Sequence, residues 1–295
     1  MTLRFDRDGR DWPHRDASRF VNLGRLRWHV QTMGEGPVVL LLHGTGAATH
    51  SWRGVMPLLA EHFTVIAMDL PGHGFTTGRP AGGLAMPAMA RAVADLLTAL
   101  QVQPVAVIGH SAGAAIGVRL AIDGWVAPRA VIGLNAALLP FPGLAARIFP
   151  TLAKLLFANP FAPYIFSRIA QGPGEVARFL LRSTGSTIDA EGVALYTRLF
   201  SDPGHCGAAI AMMAEWDLEA FAARLPALSV PLTLLHGDRD AAIPARTMAE
   251  VAAMVTGTRT ELLDGLGHLA HEEAPARVVE RIRVALADVD MSATE

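Results

Sequence analysis

One serine in the chain has the surroundings that a nucleophile needs. Ser111 stands in a Gly-x-Ser-x-Gly pattern, between Gly109 and Gly113, and follows an apolar run that begins at Val105. A serine on a tight turn from a strand into a helix is held in a strained backbone conformation, and the glycines remove side chains that would collide there. The pattern predicts a nucleophile elbow. The alternative is an ordinary strand, glycine turn and helix, since three fixed positions recur by chance.

A serine hydroxyl also needs a base within reach, and the base needs an acceptor that fixes its tautomer. Two carboxylates, Asp238 and Asp240, directly follow the apolar run that ends at His236. Two histidines, His268 and His271, follow the last apolar run. His268 comes after a glycine in a loop, whereas His271 is expected in the first turn of the final helix, where it would cap or pack. We therefore favour His268 as the base.

A reaction that passes through an oxyanion needs two fixed N–H donors. One candidate is the backbone N–H of Ala112, directly after the serine. The other is the N–H of Thr45, in the glycine-flanked turn that begins at His43. The stretch could be only a tight turn, but it falls at the same sheet edge as the other motifs. No metal or cofactor is expected, because the histidines lack carboxylates at ligand spacing and a serine mechanism requires neither.

The composition narrows the remaining classes. The chain has 295 residues, 51% hydrophobic and 18% charged, with a net charge of −2 and dispersed basic residues. It can bury a large core, and it lacks the basic surface expected of a nucleic-acid-binding protein. Early charged residues leave no apolar core for a signal peptide, and no apolar run could span a bilayer. The single cysteine, Cys206, is expected to be buried, in a cytoplasmic protein.

Alternating strand and helix patterns predict the fold class. A hairpin is predicted over residues 20–32, and further strands at 38–42, 63–68, 105–108, 130–134, 232–236 and 259–263. Helical spacing occurs between them, at residues 52–62, 86–100, 112–122, 245–255 and 272–286. Near-continuous apolar strands in repeated strand–helix units predict an α/β protein with a mostly parallel central sheet and helices on both faces.

The alternation stops between residues 136 and 214, where prolines divide helical segments into short pieces. We interpret this segment as a helical cap inserted into a core of residues 1–135 and 215–295. Its apolar stretch would lie over the serine and favours a large apolar substrate, although an apolar cap would pack on the core whatever the ligand. Peripheral membrane contact is a further alternative. The proposed substrate-lining residues are His43, His110, Leu138, Phe141, Phe149, Met213 and Trp216.

Taken together, the motifs resemble the capped α/β-hydrolase superfamily. The resemblance covers nearly the whole chain through His43–Gly46, Asp69–Gly74, Gly109–Gly113, Gly237–Pro244 and Gly267–His268. It implies the α/β-hydrolase fold and a triad in the order Ser111, Asp240, His268. The acid-loop spacing Gly-x-x-Asp-x-x-Ile-Pro selects Asp240, while Asp238 would cap the turn. A serine argues against the haloalkane dehalogenase and epoxide hydrolase branches, which use aspartate, and leaves esterases, lipases, carbon–carbon bond hydrolases and peroxidase-like relatives.

A narrower resemblance is to the magnesium-chelatase accessory proteins of bacteriochlorophyll biosynthesis. It rests on stretches in core and cap, namely Asp11–Pro13, Leu26–Gln31, His43–Ala47, His50–Arg53, Pro71–Thr76 and Met212–Leu218. This resemblance implies a role near the insertion of magnesium into protoporphyrin. It also implies a tetrapyrrole or its ester as the small-molecule apolar substrate, and contact with magnesium chelatase.

Two functions are open at this stage. The first is a serine hydrolase that acts on an ester or other acyl bond of a large apolar substrate. The second is a non-catalytic accessory protein that holds a tetrapyrrole or assists the chelatase, and fold alone does not decide between them. The intact triad and oxyanion loop favour the enzyme, because strained catalytic geometry costs stability and is readily lost when unused.

Overall fold

A computed structural model describes residues 3–140 and 154–292 of the chain. Within these ranges, eight strands form one sheet in the order β1-β2-β4-β3-β5-β6-β7-β8. The strands are β1 (Ser18–Leu23), β2 (Leu26–Met33), β3 (Val38–Leu42), β4 (Thr64–Met68), β5 (Ala106–His110), β6 (Ala130–Leu134), β7 (Leu232–Gly237) and β8 (Arg259–Leu263). Each predicted strand is present, with ends that differ from the prediction by no more than two residues.

The sheet is mostly parallel, which confirms the predicted fold class. β1 pairs with β2 and β2 with β4 in the antiparallel sense, while the pairings of β4 with β3 and onward to β8 are parallel. Parallel strands point the same way, so the loops after β3, β5, β6, β7 and β8 emerge at one edge. All the predicted catalytic groups lie in these loops.

Helices cover the sheet. Those described from end to end are α1 (Phe5–Asp8), α2 (Met56–Leu59), α3 (Met86–Ala99), α4 (Ala112–Ile122), α5 (Ala162–Ala170), α6 (Glu175–Thr184), α7 (Ala190–Phe200), α8 (Pro203–Glu215), α9 (Leu218–Ala222), α10 (Arg246–Met254), α11 (Ala270–Glu273) and α12 (Pro275–Ser292).

The central strands are apolar throughout because both of their faces are covered. On β3, Leu40 packs in the cluster that includes α3 and α4, whereas Leu41 packs in the cluster that includes α2 and α12. Val107 and Ile108 of β5 divide between the same two clusters. Successive side chains of a strand point to opposite faces, so a strand between two helical layers must be apolar at every position.

The described part of the chain between β6 and β7 contains helices joined by loops and no strand, as the predicted insertion requires. Asp189 caps α7 by accepting a hydrogen bond from the Gly192 N–H at 2.7 Å, and Asp202 caps α8 through the His205 N–H at 2.8 Å. Such caps satisfy N–H groups that a helix start leaves unpaired. The division of the chain into a core and a cap at residues 136 and 214 stays a prediction.

Two predicted helices are shorter or broken in the structure, and in both a proline lies in the first turn of the helix that remains. The helix predicted over residues 52–62 is a 3₁₀ turn, Thr49–Trp52, followed by α2, whose first turn holds Pro57. The closing helix is divided between α11 and α12 because Pro275 begins α12. Proline has no N–H to donate and disfavours helical geometry in the preceding residue, so it starts helices and interrupts them.

The sheet and α4 approach each other closely at two glycines. A methyl group at position 113 would collide with the backbone carbonyl of Leu42, and one at position 117 would lie 2.7 Å from Val107 Cγ1. The small residues of the predicted elbow helix therefore allow α4 to rest on β3 and β5. This approach fixes the start of α4, and with it Ser111.

We expect Gly113→Ala to lower the free energy of unfolding by about 2 kcal/mol or more, because the added methyl group must displace backbone. Gly207→Ala in α8 is the matched control. A methyl group there would lie 3.4 Å from Pro163, which is ordinary contact. Alanine in a helix is about 0.5–1 kcal/mol more favourable than glycine, so this variant should be neutral or stabilised. Urea denaturation measures both, and equal effects would contradict the close-approach argument.

Candidate active site

Ser111 occupies a strained position at the end of β5. Its backbone angles are φ 51° and ψ −117°, a conformation that a non-glycine residue rarely adopts. Its N–H donates to the Leu134 carbonyl at 2.9 Å, and its carbonyl accepts from the N–H groups of Ala114 at 3.1 Å and Ala137 at 3.2 Å. The ends of β6 and α4 thus hold the strained turn from both sides.

The loop after β3 lies directly against the serine. A methyl group at Gly44 would lie 3.1 Å from Ser111 Cβ and 2.8 Å from His110 Nδ1. Among the described residues, no carbonyl accepts a backbone hydrogen bond from the N–H of Thr45 or from the N–H of Ala112. The Thr45 hydroxyl instead contacts Met212 Sδ at 3.5 Å. Two uncommitted N–H groups beside a serine are what an oxyanion hole requires.

The structure joins Asp240 to His268. Asp240 Oδ2 lies 2.8 Å from His268 Nδ1 and accepts a hydrogen bond from Asn135 Nδ2 at 2.8 Å. Its Oδ1 accepts from the N–H groups of Ala242 at 2.7 Å and Ile243 at 2.9 Å. Burial favours a neutral carboxyl group, but the hydrogen bonds and charge of His268 and its other partners outweigh burial and lower the pKa of Asp240. Asp240 is therefore ionised near neutral pH.

Asp238, the other carboxylate of this loop, has a different position. Its Oδ1 accepts a hydrogen bond from the Gly265 N–H at 2.6 Å, and its residue is exposed. This bond connects the loop after β7 to the loop after β8. Among the described residues, Asp238 makes no hydrogen bond to the imidazole of His268. The geometry thus brings Asp240, and not Asp238, to the predicted base.

His268 lies close to the serine turn. Its carbonyl bonds to His110 Nε2 at 2.9 Å, and the two imidazole rings are 4.7 Å apart between centroids. Because Nδ1 faces the Asp240 carboxylate, it carries the hydrogen and leaves a lone pair on Nε2, as a general base needs. The Ser111 hydroxyl is not hydrogen-bonded to any described residue. Catalytic hydrogen bonds are often long without substrate and tighten in the complex.

His271 is packed inside the protein, as expected for a helix residue. Its Nε2 lies 2.8 Å from Ser51 Oγ, and the Ser51 hydroxyl donates to Glu272 Oε1 at 2.7 Å. Glu272 also accepts from the Tyr196 hydroxyl and from the Arg53 guanidinium, each at 2.7 Å. Burial lowers the pKa of His271 to about 3, so it is neutral near pH 7. This buried network connects α11 to α7 behind the site.

One residue of the site was missed in the sequence. Asn135 follows β6 with φ 47°, and its side chain donates to Asp240 as described above. Its partner lies 105 residues further along the chain. The only signal was its position, because a polar residue directly after the buried strand that ends at Leu134 falls at the edge where ligands bind.

A second missed feature is the link from α6 to α7, which holds the acid and histidine loops in place. The Thr184 carbonyl accepts hydrogen bonds from the His268 N–H at 2.8 Å and the Ala241 N–H at 3.3 Å. Ser186 Oγ accepts from the Leu269 N–H at 2.8 Å. A methyl group at Gly185 would collide with the Arg239 carbonyl. Nothing in the local sequence predicts these contacts, since they join distant segments.

The predicted substrate-lining histidines are committed to other groups. His43 Nδ1 bonds to the Gly44 carbonyl at 2.8 Å, and its Nε2 accepts from the Leu70 N–H at 2.9 Å. Burial lowers the pKa of His43 to about 4. His110 is buried, with its Nε2 bonded to the His268 carbonyl. Both rings therefore stabilise the loops around the serine, and His43 offers no free nitrogen to a substrate.

The other predicted lining residues lie in varied surroundings. Leu138 is buried in the large core cluster beside α3 and α4. Met213 is half exposed, and Trp216 donates its indole N–H to the Leu84 carbonyl at 2.9 Å. Phe141 and Phe149 lie outside the described residues.

The described part of the chain offers neither a metal site nor a helix that could cross a membrane. No group of three or more histidine, cysteine, aspartate or glutamate side chains there could hold a metal ion. None of its helices combines the length and the apolar character that crossing a bilayer requires.

Comparisons with known proteins support the fold. Residues 37–275 match a family described as alpha/beta hydrolase fold. The chain is 41% identical over 266 residues to the magnesium-chelatase 30 kDa subunit of Rhodobacter capsulatus, across 90% of this chain and 92% of that protein. It is 28% identical over 271 residues to 2-hydroxy-6-oxo-6-(2'-aminophenyl)hexa-2,4-dienoic acid hydrolase of Metapseudomonas resinovorans, across 88% and 87%.

Solved structures show the same fold. A thermophilic esterase from Thermogutta terrifontis superposes with a TM-score of 0.74 at 23% identity, across 92% of this chain and 99% of that one. Both resemblances that the motifs indicate are thus confirmed.

Because several histidines are buried in their neutral form, we expect the folded protein to lose stability at acidic pH. The pKa values of about 4 for His43 and about 3 for His271 mean that, below about pH 6.5, the unfolded chain binds more protons than the folded chain. The free energy of unfolding should fall as pH drops from about 6.5 towards those values, by about 1.4 kcal/mol per pH unit for each histidine. His271→Gln keeps an N–H donor for Ser51 and removes one titrating group. The free energy of unfolding of this variant, measured by urea denaturation at several pH values, should depend less steeply on pH, by the amount that corresponds to about one proton fewer taken up on unfolding. An unchanged slope would contradict the assignment.

Proposed function

Because the chain belongs to the α/β-hydrolase family, we propose that it is a serine hydrolase in which Ser111 is the nucleophile. His268 is the general base, and Asp240 orients and stabilises the imidazole. The N–H groups of Thr45 and Ala112 form the oxyanion hole. The observation that carries the proposal is a strained serine at the end of β5 beside a buried, hydrogen-bonded Asp240–His268 pair.

The proposed reaction has two halves. Ser111 Oγ attacks the carbonyl carbon while its proton passes to His268 Nε2, and the oxyanion accepts hydrogen bonds from Thr45 and Ala112. Collapse breaks the bond to the leaving group, which takes the proton from His268 and leaves an acyl ester on Ser111. Water then attacks this ester with His268 as base, and collapse releases the acid and restores the serine hydroxyl.

Apolar side chains beside the oxyanion loop support an apolar substrate. Met212 contacts the Thr45 hydroxyl, and the Phe200 ring lies 3.3 Å from where a methyl group at Gly46 would stand. We therefore infer an ester or other acyl bond in a large apolar molecule. The similarity to the protein named as a magnesium-chelatase subunit favours a tetrapyrrole or its ester, in bacteriochlorophyll synthesis around magnesium chelation.

A second candidate function is that of a non-catalytic partner of magnesium chelatase. The observation that favours it is the similarity, across 90% of the chain, to a protein named as a magnesium-chelatase subunit. That name mentions no hydrolase activity. The intact catalytic arrangement argues for the enzyme, because a strained serine costs stability that a purely structural protein has no reason to retain. We place either activity in the cytoplasm.

If the three residues form one catalytic unit, Ser111→Ala should abolish both hydrolysis of p-nitrophenyl butyrate and labelling by a fluorophosphonate probe. His268→Ala should cost as much, and the double variant should be little worse, because triad members act together. Asp240→Asn should lower kcat by on the order of 10⁴-fold, since the imidazole loses the acceptor that sets its tautomer.

Asp238→Asn is the matched control, because Asp238 stands in the same loop and its carboxylate accepts a hydrogen bond only from the Gly265 N–H among the described residues. It should keep most of the activity. Folded protein that fails to react with the probe would overturn the hydrolase proposal. Equal losses in Asp238→Asn and Asp240→Asn would remove Asp240 from the triad.

A genetic experiment separates the two candidate functions. In a phototrophic host that lacks this protein, Ser111→Ala present at normal abundance should fail to restore pigment if catalysis is the function. The substitution removes one oxygen atom and leaves the buried interfaces intact, so an accessory protein should tolerate it. Full restoration of pigment, measured by absorbance of cell extracts, would favour the accessory role.

A further inference from the structure

Helix α5 presents its large apolar side chains outward. Its small residues Ala162 and Ala170 are buried, at 3% and 6% exposure. Phe161, Tyr164 and Ile165 are 70%, 64% and 53% exposed. A helix on the surface of a globular protein normally buries its apolar stripe and exposes its polar one. The reversed arrangement in α5 indicates that its outer face is made to be covered.

The exposed apolar surface is concentrated in one part of the chain. Twelve large hydrophobic residues of the described chain are exposed, and nine of them lie between residues 155 and 181. We call these nine the apolar face. They are Leu155, Phe157, Phe161, Tyr164, Ile165, Phe166, Ile169, Phe179 and Leu181. Single exposed hydrophobic residues are normal, whereas a concentration of this size marks an interaction surface.

The charges among these residues are mostly positive. Between residues 154 and 185 the basic side chains are Lys154, Arg168, Arg178 and Arg182, and the only acidic one is Glu175, which is paired with Arg178. The chain as a whole has a net charge of −2. The positive charge is therefore concentrated in the segment of chain that carries the apolar face, and it complements an anionic surface.

From this combination we propose that the apolar face docks on a lipid bilayer that contains anionic headgroups. Aromatic and aliphatic side chains would enter the boundary between headgroups and acyl chains, while the basic side chains pair with the headgroup phosphates. A second copy of this chain fits less well, because a symmetric dimer would bring the same positive charges together. The docking does not depend on the proposed catalysis.

The apolar face reaches towards the serine. The Phe179 ring lies 5.8 Å from the Phe200 ring, and Phe200 borders Gly46 in the loop that holds Thr45. An apolar ring contact thus links the docking face to the residue that borders the oxyanion loop.

Flotation of the full chain with vesicles tests the proposal. The protein should float with phosphatidylcholine vesicles that contain phosphatidylglycerol, and much less with phosphatidylcholine alone. The triple variant Phe161→Ser, Ile165→Ser, Ile169→Ser should bind on the order of tenfold or more weakly, since it removes inserted apolar area. The double variant Arg168→Glu, Arg182→Glu should lose on the order of tenfold or more, because each basic residue near an anionic surface contributes about 1 kcal/mol.

The matched control is Leu262→Ser, Val284→Ser, which changes two exposed hydrophobic residues outside the apolar face and should float like the unaltered protein. Thermal unfolding checks that each variant is folded. No flotation of the unaltered chain, or equal flotation of the triple variant, would overturn the proposal. The proposal would also be overturned if the unaltered chain sedimented as a dimer and did not bind vesicles, while the triple variant sedimented as a monomer. Fluorophosphonate labelling in solution reports on the serine separately, so failure of docking and failure of catalysis are distinguishable.

Discussion

The site depends on one buried charge, the carboxylate of Asp240. Its side chain is almost entirely removed from solvent, and an ionised carboxylate is costly in that position unless hydrogen bonds satisfy it. Asn135 reaches it from the end of β6, His268 from the loop after β8, and the Ile243 N–H from its own loop. The three loops must therefore close around one point. The same closure places the imidazole of His268 beside the turn that holds Ser111.

The parts of the fold that depend on local pattern could be predicted from the sequence. The run from Val38 to Leu42 is a buried strand because both its faces are covered. In the Gly-x-Ser-x-Gly turn, a side chain at Gly109 would collide with the backbone of Ala114, which is close in the chain. Asn135 and Ser186 could not be found in this way, because their partners are distant in the chain. The same limit applies to His43, which was predicted to line the substrate site and whose two ring nitrogens bond to the backbone of the protein.

Helix boundaries show a different limit. The periodicity over residues 52–62 and 272–286 is real, since the apolar side chains of α2 and α12 pack in one cluster. Pro57 and Pro275 nevertheless divide those stretches, because a proline cannot donate the hydrogen bond that a continuous helix would need at its position. Hydrophobic spacing thus identifies which residues face the core, whereas a single proline decides where a helix can begin.

Helix α6 connects the apolar face to the chemistry. Phe179 lies on its exposed side, and Thr184 at its last turn accepts the backbone N–H of His268. Gly185 then ends the helix with φ 69°, packed against the acid loop so closely that no side chain would fit. A shift of α6 would therefore move the carbonyl that holds the backbone of His268, the proposed base. Because a base must lie within a few tenths of an ångström of its productive distance from a serine, the position of α6 bears on the proposed catalysis.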